Sequence, residues 1–266
     1  MNERPTRLVL LGFPVEHSLS PRMHGAALRA AGIMLSYDAL EISPELLGDT
    51  IALARSGGWA GNVTIPHKAA VAAFCDELSA TAHAAGAVNC FRMKGSQLHG
   101  INTDVGGVRH AIQELLQGRV PRRVLMIGAG GAAAAVAVAM HEFDGSQLMV
   151  HARSPHRLHE FARRFSTVVP VTDIATAAAN ADLVINATPI GMRDNAHPVD
   201  LALLPANCSV LDLVYRVDET PWVRAARARG LAAADGLGML VEQGALAFEW
   251  WFEVPADRAA MWKALR

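Results

Sequence analysis

Short apolar runs alternate with Ala/Leu-rich stretches along almost the whole chain. Runs of strand length fall at RLVLLGF (7–13), LSYDALEI (35–42), AGNVTI (60–65), AVNCFRM (87–93), RRVLMIG (122–128), QLMVHA (147–152), VVPVT (168–172), LVINAT (183–188) and SVLDLVY (209–215). Between them, PRMHGAALRAAG, HKAAVAAFCDELS and HRLHEFARRF repeat apolar residues at helical spacing. Strands alternating with helices predict parallel sheets covered on both faces, an α/β fold.

The pattern divides into two halves. Residues 1 to about 104 hold four of the predicted strands, with polar residues where strands meet loops. The segment GGVRHAIQELLQGRVP predicts a linking helix that ends near Gly118 and Pro121. Residues 122 to about 236 form a second βαβ pattern with its own glycine turn. The tail MLVEQGALAFEWWFEVPADRAAMWKAL is helical and aromatic, interrupted at Pro255, and with no strand after it is expected to pack back onto the first half. VLMIGAGGAAAAVAVAM (124–140) is uncharged over seventeen positions, just short of a membrane span. Its order of large apolar residues, glycines and alanines instead predicts a strand, a tight turn and a closely packed helix.

That turn carries the first chemical signal. Gly128-x-Gly130-x-x-Ala133 follows a predicted strand and opens a predicted helix, the setting in which a dinucleotide pyrophosphate meets a helix N-terminus. A site preferring NAD has Asp or Glu about 20 residues on, at the tip of the next strand. Here that tip is VHARSPHR, with Arg153, Ser154 and Arg157 and no carboxylate. Guanidinium forks suit a 2′-phosphate, so NADP is the expected cofactor, with NAD left open.

The first half concentrates polar side chains at strand ends, where open α/β sheets bind ligands. Ser18 and Ser20 stand one residue apart after the first apolar run; such hydroxyls either satisfy backbone amides in a turn or hold a small anion such as a carboxylate. GNVTIPHK supplies Asn62, Thr64 and Lys68, GAVNC supplies Asn89, and GINTDVGG supplies Asn102, Thr103 and Asp104. Singly, the lysine reads as a solvated charge and Asp104 as a helix cap.

Composition narrows the classes. The 266 residues are 52% hydrophobic and 18% charged, enough to bury a sizeable core. With 24 basic and 25 acidic residues well mixed, nothing forms the basic stripe a nucleic-acid surface needs. Three widely spaced cysteines give no disulfide framework and fit a reducing compartment. The polar start MNERPTR leads into too few apolar residues for a secretory signal. A cytoplasmic protein with no membrane or metal chemistry is expected, because none of the eleven histidines falls in a zinc-type spacing.

Taken in order, GFPVEHSLSPRMHG, GNVTIPHK, GAVNC, GINTDVGG, GAGGA, NATPIGM, DLVY and GLGMLVEQGALAFEWW make the chain, from Gly12 to about Trp251, resemble the shikimate dehydrogenase family. The resemblance implies an N-terminal open α/β substrate domain (1–104, joined by 239–266) and a Rossmann-type NADP-binding domain (105–238), separated by a cleft. It also implies NADP-dependent reduction of 3-dehydroshikimate to shikimate, a step toward chorismate and the aromatic amino acids. Lys68 and Asp104 match the catalytic pair, handling the proton and the charge on the carbonyl oxygen. Ser18 and Ser20 match the carboxylate contacts, Tyr215 a further one, and Thr64, Asn89 and Gln243 the ring contacts. Gly128, Ala129, Gly130, Gly131 and Ala132 match the pyrophosphate turn, Arg153, Ser154 and Arg157 the 2′-phosphate clamp, and Thr188, Leu213 and Gly236 further cofactor contacts.

Four positions depart from the family pattern: Gly25 stands where Asn is usual, Cys90 where Thr is usual, Ala152 at the start of the arginine loop, and Val217 in place of Pro. They leave open a divergent member acting on quinate or an aminoshikimate-type analogue, or a non-catalytic NADP-binding protein. The substrate partner is a small carboxylate in every enzymatic version, and the protein is expected to be a monomer or homodimer.

Overall fold

The computed structural model describes residues 4–216 and 218–266; Val217, one of the four departures, lies outside them. The chain divides into two compact units, residues 1–106 with 240–266, and residues 107–239.

In the first unit the order is β1 (Arg7–Gly12), α1 (Ser20–Ala30), β2 (Tyr37–Glu41), α2 (Leu47–Gly57), β3 (Trp59–Val63), α3 (Lys68–Phe74), β4 (Glu77–Leu78), α4 (Ala80–Ala85), β5 (Cys90–Lys94) and β6 (Gln97–Ile101). Helix α5 (Asp104–Leu115) begins there and continues into the second unit. The six strands form one sheet in the order β2-β1-β3-β5-β6-β4. Strands β1, β2 and β3 are parallel, whereas β5 runs antiparallel to both β3 and β6.

This corrects the expected four strands in an all-parallel sheet. Strand β4 is two residues long and too short to carry a pattern. Strand β6 carries Gln97, His99 and Gly100 among its five residues, which blurs its alternation. Lys94 pairs with Gln97, so Gly95-Ser96 is a two-residue hairpin turn, with Gly95 at φ +60°. The helix predicted through HKAAVAAFCDELS stops at Phe74, where Cys75 turns extended.

The second unit contains β7 (Arg123–Ile127), α6 (Gly131–Ala139), β8 (Gln147–His151), α7 (Pro155–Arg164), β9 (Val168–Pro170), α8 (Ile174–Ala179), β10 (Leu183–Asn186), β11 (Ser209–Asp212), α9 (Pro221–Ala228) and β12 (Ala232–Ala234). Its sheet runs β12-β11-β10-β7-β8-β9, with every pair parallel. This is the doubly wound order of a Rossmann domain, with its switch point between β7 and β10. The uncharged stretch 124–140 is strand β7, a turn and helix α6. Ala133 to Ala137 are nearly all inaccessible, so small side chains let α6 lie close on the sheet. Among the described residues no helix is long and apolar enough to cross a membrane.

Each unit has its own core. Val9, Leu11, Ile51, Phe91 and Leu98 are buried in the first. Leu125, Val184, Val210 and Trp222 are buried in the second, where the Trp222 indole donates to the Val199 carbonyl at 3.1 Å.

The chain ends in α10 (Leu237–Phe252) and α11 (Arg258–Leu265). From Leu240 onward it belongs to the first unit. Trp251 Nε1 donates to the Phe91 carbonyl at 3.1 Å, tying α10 to β5. Arg258 bridges α11 back to α10 through Glu242 (2.7 Å) and Glu249 (2.6 Å). These anchors fix the register of α10, and with it the position of Gln243.

Candidate active site

The first unit gathers Lys68, Asp104, Asn89 and Gln243 in one hydrogen-bonded cluster. Lys68 opens α3 just past the end of β3, and Asp104 opens α5 just past β6. Lys68 Nζ donates to Asp104 Oδ2 at 2.6 Å, with both side chains largely buried. The Lys68 carbonyl accepts from the amide of Val88, which brings the start of α3 beside Asn89. Asn89 Nδ2 donates to Asp104 Oδ1 at 2.8 Å and lies within reach of Thr103 Oγ1 (2.9 Å) and Gln243 Oε1 (3.3 Å). Its Oδ1 accepts from the Thr103 amide at 2.7 Å. Asp104 therefore acts as an acceptor for an ammonium and an amide, and its side chain does not cap its own helix.

A layer below supports this cluster. Asn62 Nδ2 donates to the Asn89 carbonyl at 3.1 Å, and its Oδ1 accepts from the Tyr37 hydroxyl at 2.8 Å. The His24 ring stacks on Tyr37 with centroids 4.4 Å apart. Burial lowers the His24 pKa from 6.5 to about 3, the Asn62 side chain opposing this more weakly. Asn62, Thr103 and Tyr37 gave no sequence signal of this role beyond being polar residues near strand ends, and His24, within α1, gave none.

Ser18 and Thr64 lie on the loops that leave β1 and β3, and Ser20 opens α1 at the end of the first of them. Because those strands are parallel neighbours, both loops emerge at one sheet edge, and Phe13 N donates to the Ile65 carbonyl between them at 2.9 Å. Ser18 Oγ accepts from the Ser20 amide at 3.2 Å. The turn chemistry anticipated for this pair is therefore present, and the Ser18 hydroxyl proton remains able to donate elsewhere.

Two of the departures have a clear setting. A side chain at Gly25 would meet only Arg29 Nη1, at 3.4 Å. Cys90 is wholly buried, and burial pushes its thiol well above the ordinary value, as befits an inert core residue.

In the second unit, Gly128 follows β7 with φ +116°, and its amide donates to the His151 carbonyl at 2.8 Å. A Cβ there would stand 2.8 Å from the Ala187 carbonyl oxygen, so only glycine fits. At Gly130 and Gly131 a Cβ would meet nothing within 4 Å. The N-terminus of the nine-residue α6 is thus open for a group that takes its first amides.

At the tip of β8 the Ser154 hydroxyl caps α7, accepting from Arg157 N at 3.4 Å. Arg153 and Arg157 are exposed. Thr188, Leu213 and Gly236 come together around the ends of β10 and β11: Leu213 N donates to the Asn186 carbonyl and Gly236 N to the Val214 carbonyl. Tyr215 is half-buried on the loop after β11. These residues fit a dinucleotide whose adenosine carries a phosphate: a glycine cradle at the switch point, with guanidinium groups and no carboxylate at the next strand tip.

A doubly wound sheet with such a cradle, in a chain that also builds a buried lysine–carboxylate pair, defines the class of nicotinamide-dependent oxidoreductases. Family models described as the shikimate dehydrogenase substrate binding domain, shikimate/quinate 5-dehydrogenase and the shikimate 5'-dehydrogenase C-terminal domain match residues 10–91, 111–191 and 236–266. A curated relative from Symbiobacterium thermophilum, shikimate dehydrogenase (NADP(+)), is 42% identical over 93% of this chain and 90% of its own. The enzyme of the same name from Acidiphilium cryptum is 40% identical over 96% and 94%. The solved shikimate 5-dehydrogenase of Thermus thermophilus in complex with NADP(H) and shikimate superposes with a TM-score of 0.89 at 38% identity, covering 98% of both chains. The chain belongs to the shikimate dehydrogenase family.

Proposed function

We propose that this protein is an NADP-dependent shikimate dehydrogenase, interconverting 3-dehydroshikimate and shikimate, with the Lys68–Asp104 pair managing the charge on the reacting oxygen. The observation that carries this reading is the 2.6 Å contact between a buried ammonium and a buried carboxylate, held by Asn89. In this reading unit 1 binds the carboxylate substrate and unit 2 the cofactor.

When bound, the nicotinamide supplies the hydride in reduction and accepts it in oxidation. The chain's own groups do the rest. As the substrate carbonyl gains negative charge, Lys68 Nζ donates to its oxygen and passes it a proton. Asp104 Oδ2 aims that ammonium, while Oδ1 is occupied by Asn89, so the carboxylate does not turn away. Asn89 and Gln243 offer amide groups to ring oxygens, and Thr64 a hydroxyl. Ser18 and Ser20, at the N-terminus of α1, donate to the substrate carboxylate, which a helix N-terminus also favours.

Gly128 to Ala132 cradle the pyrophosphate, and Arg153, Ser154 and Arg157 hold the 2′-phosphate. Thr188, Leu213 and Gly236 line the nicotinamide end. The test is to follow reduction of NADP+ and NAD+ spectrophotometrically with shikimate, quinate and aminoshikimate. Fastest turnover is expected for shikimate with NADP+. Cofactor binding without oxidation of any of the three would overturn the enzymatic reading.

A further inference from the structure

Asp212 is a fully buried carboxylate at the end of β11 that the mechanism above leaves unused. It stands directly across the sheet from Asn186, the last residue of β10. Its Oδ1 accepts from Asn186 Nδ2 at 2.8 Å and from the Val214 amide at 3.1 Å, and its Oδ2 accepts from Thr220 Oγ1 at 2.8 Å. No ion pair is formed by Asp212 among the described residues. Burying an unpaired carboxylate is costly, and burial raises its pKa, with the three hydrogen bonds opposing.

Those bonds run into two loops. A carboxylate only accepts, so Asn186 must turn its NH2 toward Asp212 and its oxygen the other way. That oxygen takes the Thr188 amide (3.0 Å) and hydroxyl (2.6 Å), while Nδ2 also reaches the Ile190 carbonyl (3.0 Å). Thr188 and Ala187 in turn press on Gly128: a Cβ there would lie 3.0 Å from Thr188 Cγ2 and 2.8 Å from the Ala187 oxygen. On the other side, the Asp212 bond to Val214 N fixes the loop whose carbonyl accepts from Gly236 N at 2.9 Å. A Cβ at Gly236 would stand 2.4 Å from the Leu213 oxygen, so only glycine lets this seam close.

We infer that Asp212 is a positioning residue for cofactor binding, a single buried acceptor that sets the 187–190 and 213–215 loops and, through Thr188, the wall of the glycine turn. The inference rests on the proposed role of Thr188, Leu213 and Gly236 at the cofactor. Nothing in it requires charge on Asp212, only acceptors aimed at Asn186 and Val214. An asparagine can present its oxygen to both and its amide to Thr220 Oγ1, whose hydroxyl then accepts.

The experiment is calorimetric titration of NADP+ into the full-length protein, with shikimate KM measured beside it. Asp212→Ala is expected to raise the NADP+ Kd at least about tenfold and leave shikimate KM within about twofold, because the loops lose their common anchor. Asp212→Asn is expected to restore NADP+ affinity to within about threefold of wild type. A folded Asp212→Ala protein with unchanged NADP+ Kd overturns the inference, as does Asp212→Asn binding no better than Asp212→Ala. If Asp212→Ala does not fold, Asn186→Ser breaks the same link with the carboxylate in place and is held to the same tenfold criterion. Wild-type protein that binds NADP+ without oxidising shikimate would defeat the dehydrogenase reading, whereas the titrations would still decide the role of Asp212.

Discussion

Lys68 Nζ meets Asp104 Oδ2 at 2.6 Å across 36 residues of sequence, the ammonium on one helix start and the carboxylate on another. Neither helix end alone would place a charge there. The strands β3 and β6, which precede these helices in one sheet, bring the two ends to a shared edge.

The first prediction follows from that pair. Lys68→Ala should lower kcat by about 10²–10⁴-fold, the span a positioned proton donor supplies. Shikimate affinity should change far less, because the proposed ground-state contacts also include Ser18, Ser20, Thr64 and Gln243. Steady-state kinetics with equilibrium shikimate binding would check it; near-normal kcat would remove Lys68 from the chemistry.

The proposed 2′-phosphate clamp is the pair of arginines at the tip of β8. Replacing Arg153 and Arg157 together by Ala should raise the NADP+ KM by about 10–100-fold, the loss of one or two charge-assisted hydrogen bonds. The NAD+ KM should stay nearly level, since that cofactor has no 2′-phosphate. An equal rise for both cofactors would place the arginines elsewhere in binding.

The glycine turn separates stability from binding. Gly128→Ala forces a Cβ toward the Ala187 oxygen at φ +116°, and should cost about 1–3 kcal/mol of stability as well as NADP+ affinity. Gly130→Ala meets nothing within 4 Å. It should leave the urea midpoint nearly unchanged yet weaken NADP+ binding, because the new methyl fills the approach to the pyrophosphate. Equal NADP+ affinity in Gly130→Ala and wild type would show that the phosphates do not lie there.

His24 gives the protein an acid-sensitive core. In the unfolded chain this imidazole protonates near 6.5, whereas in the fold it stays neutral to about 3. The unfolded state therefore binds more protons between those values, and stability falls as pH drops through that window, by about 1.4 kcal/mol per pH unit. His24→Leu cannot titrate. Urea unfolding of both proteins should show wild type losing about 1.6 kcal/mol relative to the variant between pH 6.5 and pH 5. Parallel pH curves would mean that folding leaves the His24 pKa unshifted.

The alternation of strands and helices, the glycine turn and the arginine tip were all legible along the chain, because each is a local pattern: period, turn chemistry or a missing carboxylate. Strand ends were less legible. The runs 183–188 and 209–215 look continuous in hydropathy, but the strands stop at Asn186 and Asp212. There the Asn186 and Asp212 side chains take the amides two residues on, those of Thr188 and Val214.

By itself the sequence determined two α/β halves, a dinucleotide turn suited to NADP, and a set of polar residues at strand ends. It left those residues with dull local explanations, and for Ser18 the local bond does exist. Only the tertiary structure decided the antiparallel course of β5 and β6, which places Asn89 and Asp104 together, and the return of α10, which brings Gln243 to Asn89 from 154 residues away. The physical reason is that a buried hydrogen bond is satisfied by whatever the fold brings within 3 Å or so. Sequence periodicity records which face of an element is buried, and carries no record of which distant side chain meets it there.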